Sequence, residues 1–185
     1  ASAETGGVKG KPLEGARKLK FGAIVGNPPY QVSDGGAQAS ARPIYQDFIL
    51  LAEEQNPQFM TFVVPTRWYL GGKGLEKFRE RMLSDPHIRE LHDYLAPEVV
   101  FPGTNNRGGI CYFIRDQGYD ASKSMGTRVI THDESGIISD TTRPLNTFGS
   151  GVFLRNSAGV EIVQKVITSE NFEAFSQHVS PRKPF

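Results

Sequence analysis

An apolar run at residues 21–26, Phe-Gly-Ala-Ile-Val-Gly, is followed directly by Asn27, Pro28, Pro29 and Tyr30. Two consecutive prolines fix φ and remove two backbone donors, which leaves a stiff loop rich in acceptors. The Asn27 side-chain oxygen and the Pro28 carbonyl can each accept one hydrogen of an NH2 group, and the ring of Tyr30 can stack on the plane that bears it. The four residues therefore predict a clamp for a planar amine, such as an adenine base or a primary amide. They equally suit an ordinary turn that ends a strand and packs its tyrosine into a core. The first reading needs an element that places Asn27 in a ligand crevice, and the carboxyl end of a parallel strand in an open α/β sheet is such a place.

The surrounding pattern supplies that element. Residues 21–25 read as a buried parallel strand that Pro28 and Pro29 stop at Gly26 or Asn27. After a Gly- and Ser-rich loop at 33–41, Pro43 opens a helix with Ile44, Phe48, Leu51 and Ala52 at helical spacing, ending near Asn56-Pro57. Residues 59–64 read as a second buried strand halted by Pro65. The stretch "GGKGLEKFRERMLSD" follows as a helix with Leu75, Phe78, Met82 and Leu83 on one face. This strand, helix, strand, helix rhythm predicts an α/β sheet with parallel neighbours. Residues 87–94 read as a further strand. Two β-rich runs, 99–101 and 109–114, flank a Gly- and Asn-rich turn and read as a strand end and an antiparallel return. Beyond Gly118 the pattern predicts strands at 127–131 and 152–154, then a helix from Ser157 with Val160, Val163, Val166 and Ile167 inward.

With 185 residues, 38% of them hydrophobic, and a net charge of +1, the chain can bury the core of one globular domain. Its single cysteine, Cys111, excludes an intrachain disulfide, and the four histidines show no paired ligand spacing, so no structural metal is expected. There is no apolar run of the roughly 18 residues that span a bilayer and no signal-peptide core, which predicts a soluble cytoplasmic protein. Near-neutral charge argues against a protein that coats DNA. The basic clusters at Arg17-Lys18-Lys20, at 73–81 and at Arg182-Lys183 have the composition of solvated faces. The aperiodic start and the Pro-punctuated "SPRKPF" ending read as a piece of something longer.

The motif Gly26-Asn27-Pro28-Pro29-Tyr30 resembles the catalytic motif of amino-group methyltransferases that use S-adenosylmethionine, particularly adenine-specific (N6) DNA methyltransferases. The stretches "FVVPTRWYLGGKGLEKFRERML", "VFPGTNNRGGICYFIRD" and "SPRKPF" resemble type IIG restriction-modification enzymes, large chains that join an adenine methylase to a nuclease. The likeness covers most of residues 21–116 and the last six; residues 119–156 carry none. It implies that Asn27 and Pro28 accept the two hydrogens of the adenine amine and that Pro29 stiffens their loop. It implies too that Tyr30 stacks on a base flipped out of double-stranded DNA. A second stacking ring is implied from the later strand region, where Phe113 and Tyr112 are the candidates and strand alternation lets only one face the crevice, with Phe113 favoured. Arg67, Asn105, Asn106, Arg107, Arg182 and Lys183 are candidate DNA contacts, with plain surface roles equally open to the arginines.

Two features of that family have no counterpart here: a glycine-rich turn after a first strand for the amino-acid part of the cofactor, and an acidic residue at a second strand end for its ribose. The expected fold is α/β, the later half of a Rossmann-like S-adenosylmethionine-dependent methyltransferase sheet, mixed parallel with an antiparallel final strand. Residues 1–20 are expected as a flexible segment, 21–118 as the half carrying the catalytic motif, 119–176 as its continuation, and 177–185 as the start of a linker to a target-recognition domain. The S-adenosylmethionine site would be largely missing and the piece alone inactive, with the rest of the parent chain as its partner. An unpaired edge on the first strand is expected to favour self-association. A methyltransferase of a protein glutamine amide or an RNA base amine, and a non-catalytic module with the same fold, remain alternatives.

Overall fold

The computed structural model describes residues 20–32, 42–72, 74–103, 108–170 and 172–173. Strand β1 (Ala23–Gly26) leads to two short strands, β2 (Gln31–Val32) and β3 (Arg42–Pro43), which pair antiparallel and close the stem of the loop between them. Helix α1 (Tyr45–Glu54), strand β4 (Phe59–Pro65), helix α2 (Glu76–Ser84) and strand β5 (Ile88–Tyr94) follow. Strands β6 (Ile110–Asp116), β7 (Thr127–Asp133) and β8 (Gly136–Arg143) and helix α3 (Ser157–Ile167) complete the described fold.

Six strands form one sheet in the order β1-β4-β6-β5-β7-β8. β1 runs parallel to β4, and β5 parallel to β7, while β6 lies between β4 and β5 and opposes both. The result is the expected α/β class with a mixed sheet. The antiparallel strand is not the final one, however, because β7 and β8 extend the same sheet and β8 opposes β7 at the far edge. β1 occupies the other edge, as expected, among the described residues.

One face of the sheet carries the core. Met60, Phe62 and Val64 of β4, Leu91 of β5, Phe113 of β6 and Val129 of β7 are buried there with α1, α2 and the 3-10 turn Thr66–Tyr69. Alternation sends their neighbours to the opposite face, where Tyr112, His92, His132 and Tyr94 form a row of stacked rings. Full burial of an aliphatic or phenylalanine side chain contributes about 1.5–3 kcal/mol, so the α1–α2 face holds most of the hydrophobic stabilisation.

Several expected elements differ. In α1 the buried stripe is Tyr45, Ile49 and Ala52, while Phe48 and Leu51 face outward, Leu51 with 59% of its surface exposed. They line an open groove of about 650 Å³ with Phe21, Ala23 and Val25 of the edge strand. Both faces of α1 are apolar, so spacing alone cannot choose between them. β1 is likewise less buried than its apolar run suggests, with Val25 77% exposed at the edge. Residues 99–101 are no strand: Pro97–Val99 form a single 3-10 turn, opened by the proline. Residues 152–154 are irregular and contribute one anchor, the fully buried Phe153. No residue of α3 is buried, and Val166 is exposed where an inward position was expected.

Candidate functional site

β1 stops at Gly26 because the next residues cannot extend a ladder: Pro28 and Pro29 have no N–H to offer. A Cβ on Gly26 would lie 2.6 Å from the Phe62 ring, so only glycine lets the strand end cross that ring. Asn27 and Pro29 are exposed, Pro28 is buried, and Tyr30 is half-buried. The Tyr30 carbonyl accepts the Ile44 N–H at 3.2 Å and ties the loop to the start of α1. The Tyr30 hydroxyl is buried without a hydrogen-bond partner. Burial, with a smaller contribution from Cys111, pushes its phenol up to about 12. Tyr30 is therefore neutral at physiological pH, and what it offers chemically is a ring face.

Four chain segments meet at this end of the sheet. β4 runs parallel to β1 and ends at Pro65, level with Ile110 at the start of β6; Tyr94, at the end of β5, is level with Ile110 from the other side. Thr66 joins the two turns. Its N–H donates to the Gly109 carbonyl at 3.1 Å, and its hydroxyl lies 2.7 Å from the Gly108 carbonyl and 3.2 Å from that of Gly109. The turn after β4 and the stem of the turn before β6 thus share one side of the sheet with the Asn27 loop. Arg67 projects to solvent while its neighbours Trp68 and Tyr69 enter the core.

Two expectations change here. Phe113 has no exposed surface and stacks on Phe62 with ring centroids 6.4 Å apart, so no base can reach it in this arrangement. Tyr112 lies on the opposite face, stacked on His92 at 4.2 Å. Alternation does separate the two rings onto opposite faces of the sheet. Asn105, Asn106, Arg107, Arg182 and Lys183 lie outside the described residues.

The structure adds a buried polar group that spacing did not reveal. Asp93, fully buried near the end of β5, is bound by Arg155 through Nε to Oδ2 at 2.8 Å and Nη2 to Oδ1 at 2.7 Å. Burial alone would lower the Arg155 pKa, but the bonds to Asp93 outweigh it and the net shift is upward. The available signal was a carboxylate at a core-facing position of a strand, two residues after Leu91. Behind it Cys111 is fully buried, and burial raises its thiol to about 12, which makes it an inert core residue. Among the described residues no cluster of three or more His, Cys, Asp or Glu could hold a metal ion.

Comparison with known proteins decides the family. Residues 6–101 match the model described as the Eco57I restriction-modification methylase. The chain belongs to this family. The chain is also similar to a protein of Mycoplasma pneumoniae (strain ATCC 29342 / M129 / Subtype 1) described as an uncharacterized adenine-specific methylase. It is 30% identical over 130 residues, which are 69% of this chain and 31% of that protein. The Eco57I-family chain thus spans about a third of the length of this curated relative. Among solved structures, the type I restriction-modification methyltransferase subunit from Streptococcus thermophilus overlays with a TM-score of 0.44. Identity is 14%, over 84% of this chain and 33% of that one. The type IIG restriction endonuclease BpuSI overlays with a TM-score of 0.43 at 16% identity, over 60% of this chain and 15% of its own. No described helix is long and apolar enough to cross a membrane.

Proposed function

We propose that this chain is part of a restriction-modification enzyme that transfers a methyl group from S-adenosylmethionine to the N6 amine of adenine in duplex DNA. The observation that carries the reading is the exposed Asn27 at the carboxyl end of β1, on a loop that the buried Pro28 and the Tyr30–Ile44 hydrogen bond hold in place. Asn27 Oδ1 and the Pro28 carbonyl accept the two hydrogens of the amine and orient its lone pair, and orientation is the main catalytic contribution of such a clamp. No strong base is required before transfer, consistent with the neutral phenol of Tyr30. The amine is out of reach inside a duplex, so the adenine flips out at a cost of a few kcal/mol, which stacking on Tyr30 offsets in part. The exposure of Arg67 on the neighbouring turn supports a phosphate contact for it.

Among the described residues no strand precedes β1, and Asp93, the buried carboxylate at the Asn27 end of the sheet, is taken by Arg155 and is not free for the ribose of the cofactor. In this reading the residues of the Asn27 loop serve the acceptor side of the transfer.

The test is to incubate the full-length enzyme and labelled S-adenosylmethionine separately with duplex DNA, RNA and protein. Label on the adenine N6 of duplex DNA is the expected result. Label confined to RNA or to a protein amide would overturn the DNA reading.

A further inference from the structure

We propose that Arg155 is a positioning residue for the DNA-facing end of the sheet, an inference that rests on the methyltransferase reading above. Arg155 lies in the irregular segment before α3, where nothing in the family motifs points to a role. Its guanidinium nevertheless joins three segments. Nε and Nη2 take both oxygens of the buried Asp93 at 2.8 and 2.7 Å, and Nη1 donates to the Gly108 carbonyl. The planar fork also sits over the Tyr69 ring, 5.5 Å from its centroid. A buried carboxylate must be paired, and a bidentate arginine fixes direction as well as charge.

The partners of this fork are themselves fixed. Gly108 offers its carbonyl to Arg155 and to the Thr66 hydroxyl, 2.7 Å away, so the stem of the turn before β6 is held from two sides. Gly109 has φ of 104°, and a Cβ there would fall 2.7 Å from Arg155 Nη2 and closer still to the Tyr94 carbonyl, so the guanidinium lies against bare backbone. On the other side, Arg143 donates through Nη2 to the carbonyl of Leu154, the residue just before Arg155, and lies 4.8 Å over the Phe153 ring. The Phe153 N–H donates to the Tyr69 carbonyl at 2.9 Å. Arg155 is therefore delivered from a rigid segment, and it sets where Thr66, Gly108 and Gly109 stand. These three residues form the wall at the end of β4, and β4 is the strand paired with β1, whose end carries Asn27. A shift of that wall changes the fit of DNA beside the clamp without touching the reacting atoms.

The experiment uses the full-length enzyme and plasmid duplex DNA, with methyl transfer, DNA KM, cofactor affinity and melting temperature measured for Arg155→Lys and Thr66→Val. Lysine keeps a charge for Asp93 but cannot span both carboxylate oxygens and the Gly108 carbonyl at once. Arg155→Lys should raise the DNA KM about tenfold while cofactor affinity stays within about twofold, the scale expected for a displaced positioning surface. Thr66→Val, which removes the other side-chain donor to Gly108, should move KM in the same direction by about threefold. It carries the test alone should Arg155→Lys fail to fold. A lowered melting temperature with unchanged KM in the folded variants would overturn the positioning role. If Asn27→Ala abolishes transfer in the same preparations, the methyltransferase reading survives that result; full activity of Asn27→Ala would instead remove the reading beneath.

Discussion

The two sides of the sheet's carboxyl end are built by different means. Around Asn27 the backbone itself is restricted: two prolines, a glycine pressed on the Phe62 ring and the Ile44 N–H donated to the Tyr30 carbonyl leave the Asn27 side chain exposed and the loop short of alternatives. Around Asp93 the chain is held by charge, through a buried carboxylate, a bidentate arginine and a second buried arginine, Arg143. The first device leaves polar atoms free to meet a ligand, whereas the second consumes its polar atoms in holding segments together. Under the proposed function, the difference separates residues that would touch substrate from residues that hold the surface in position.

Asp93→Ala should have the largest effect on stability. It leaves Arg155 in a largely desolvated position without its partner, and loss of one member of a buried pair typically costs about 3–5 kcal/mol. The denaturation midpoint in urea reads this directly, and a change smaller than that of an exposed pair would erase the contrast between the two sides. On the other side, Gly26→Ala forces a Cβ against the Phe62 ring, and overpacking of this kind costs about 1–3 kcal/mol. Here methyl transfer should fall more steeply than stability, because the displaced atom sits one residue from Asn27.

A smaller effect is expected from the ring row on the opposite face. Burial is the main cause that lowers the pKa of both His92 and His132 below the ordinary 6.5, and His92 Nδ1 lies 3.1 Å from His132 Nε2. The unfolded chain then binds protons before the folded one, so the contribution of these groups is present above about pH 6.5 and is lost as pH falls below it. Thermal melts from pH 8 to 5 should show this decline, and His92→Gln should flatten it; an unchanged slope would mean that other groups control the acid limb. Smallest of all, Arg128→Ala breaks an exposed pair with Asp140, 2.7 Å apart on β7 and β8, and should leave the melting temperature unchanged within error.

How much of this was legible depends on how local the determinant is. The strands β1, β4, β5 and β6 are short apolar or alternating runs bounded by proline or glycine, and they stand within a few residues of where the sequence puts them. β8 has no buried apolar face to mark it in the sequence: at this edge Ile137 and Ile138 are exposed and only Arg143 at its end is buried. In α1 the spacing puts Ala52 correctly inward but also Phe48 and Leu51, which are as apolar as the buried Ile49 and face outward. The apolar triplet at 152–154 looks like a strand but serves as one anchor, since a single phenylalanine fits between Tyr69 and Arg143. At the candidate site the proposed clamp is wholly local, since four adjacent residues, Asn27 to Tyr30, carry it. The Asp93–Arg155 pair spans 62 positions, and no spacing rule links two residues brought together only by the sheet.

In the full-length enzyme, Asn27→Ala should reduce methyl transfer to duplex DNA by on the order of 10²–10³ while leaving cofactor affinity within about twofold, the pattern of an interaction that serves the transition state. Transfer at the wild-type rate would contradict the clamp, whatever the fold around it.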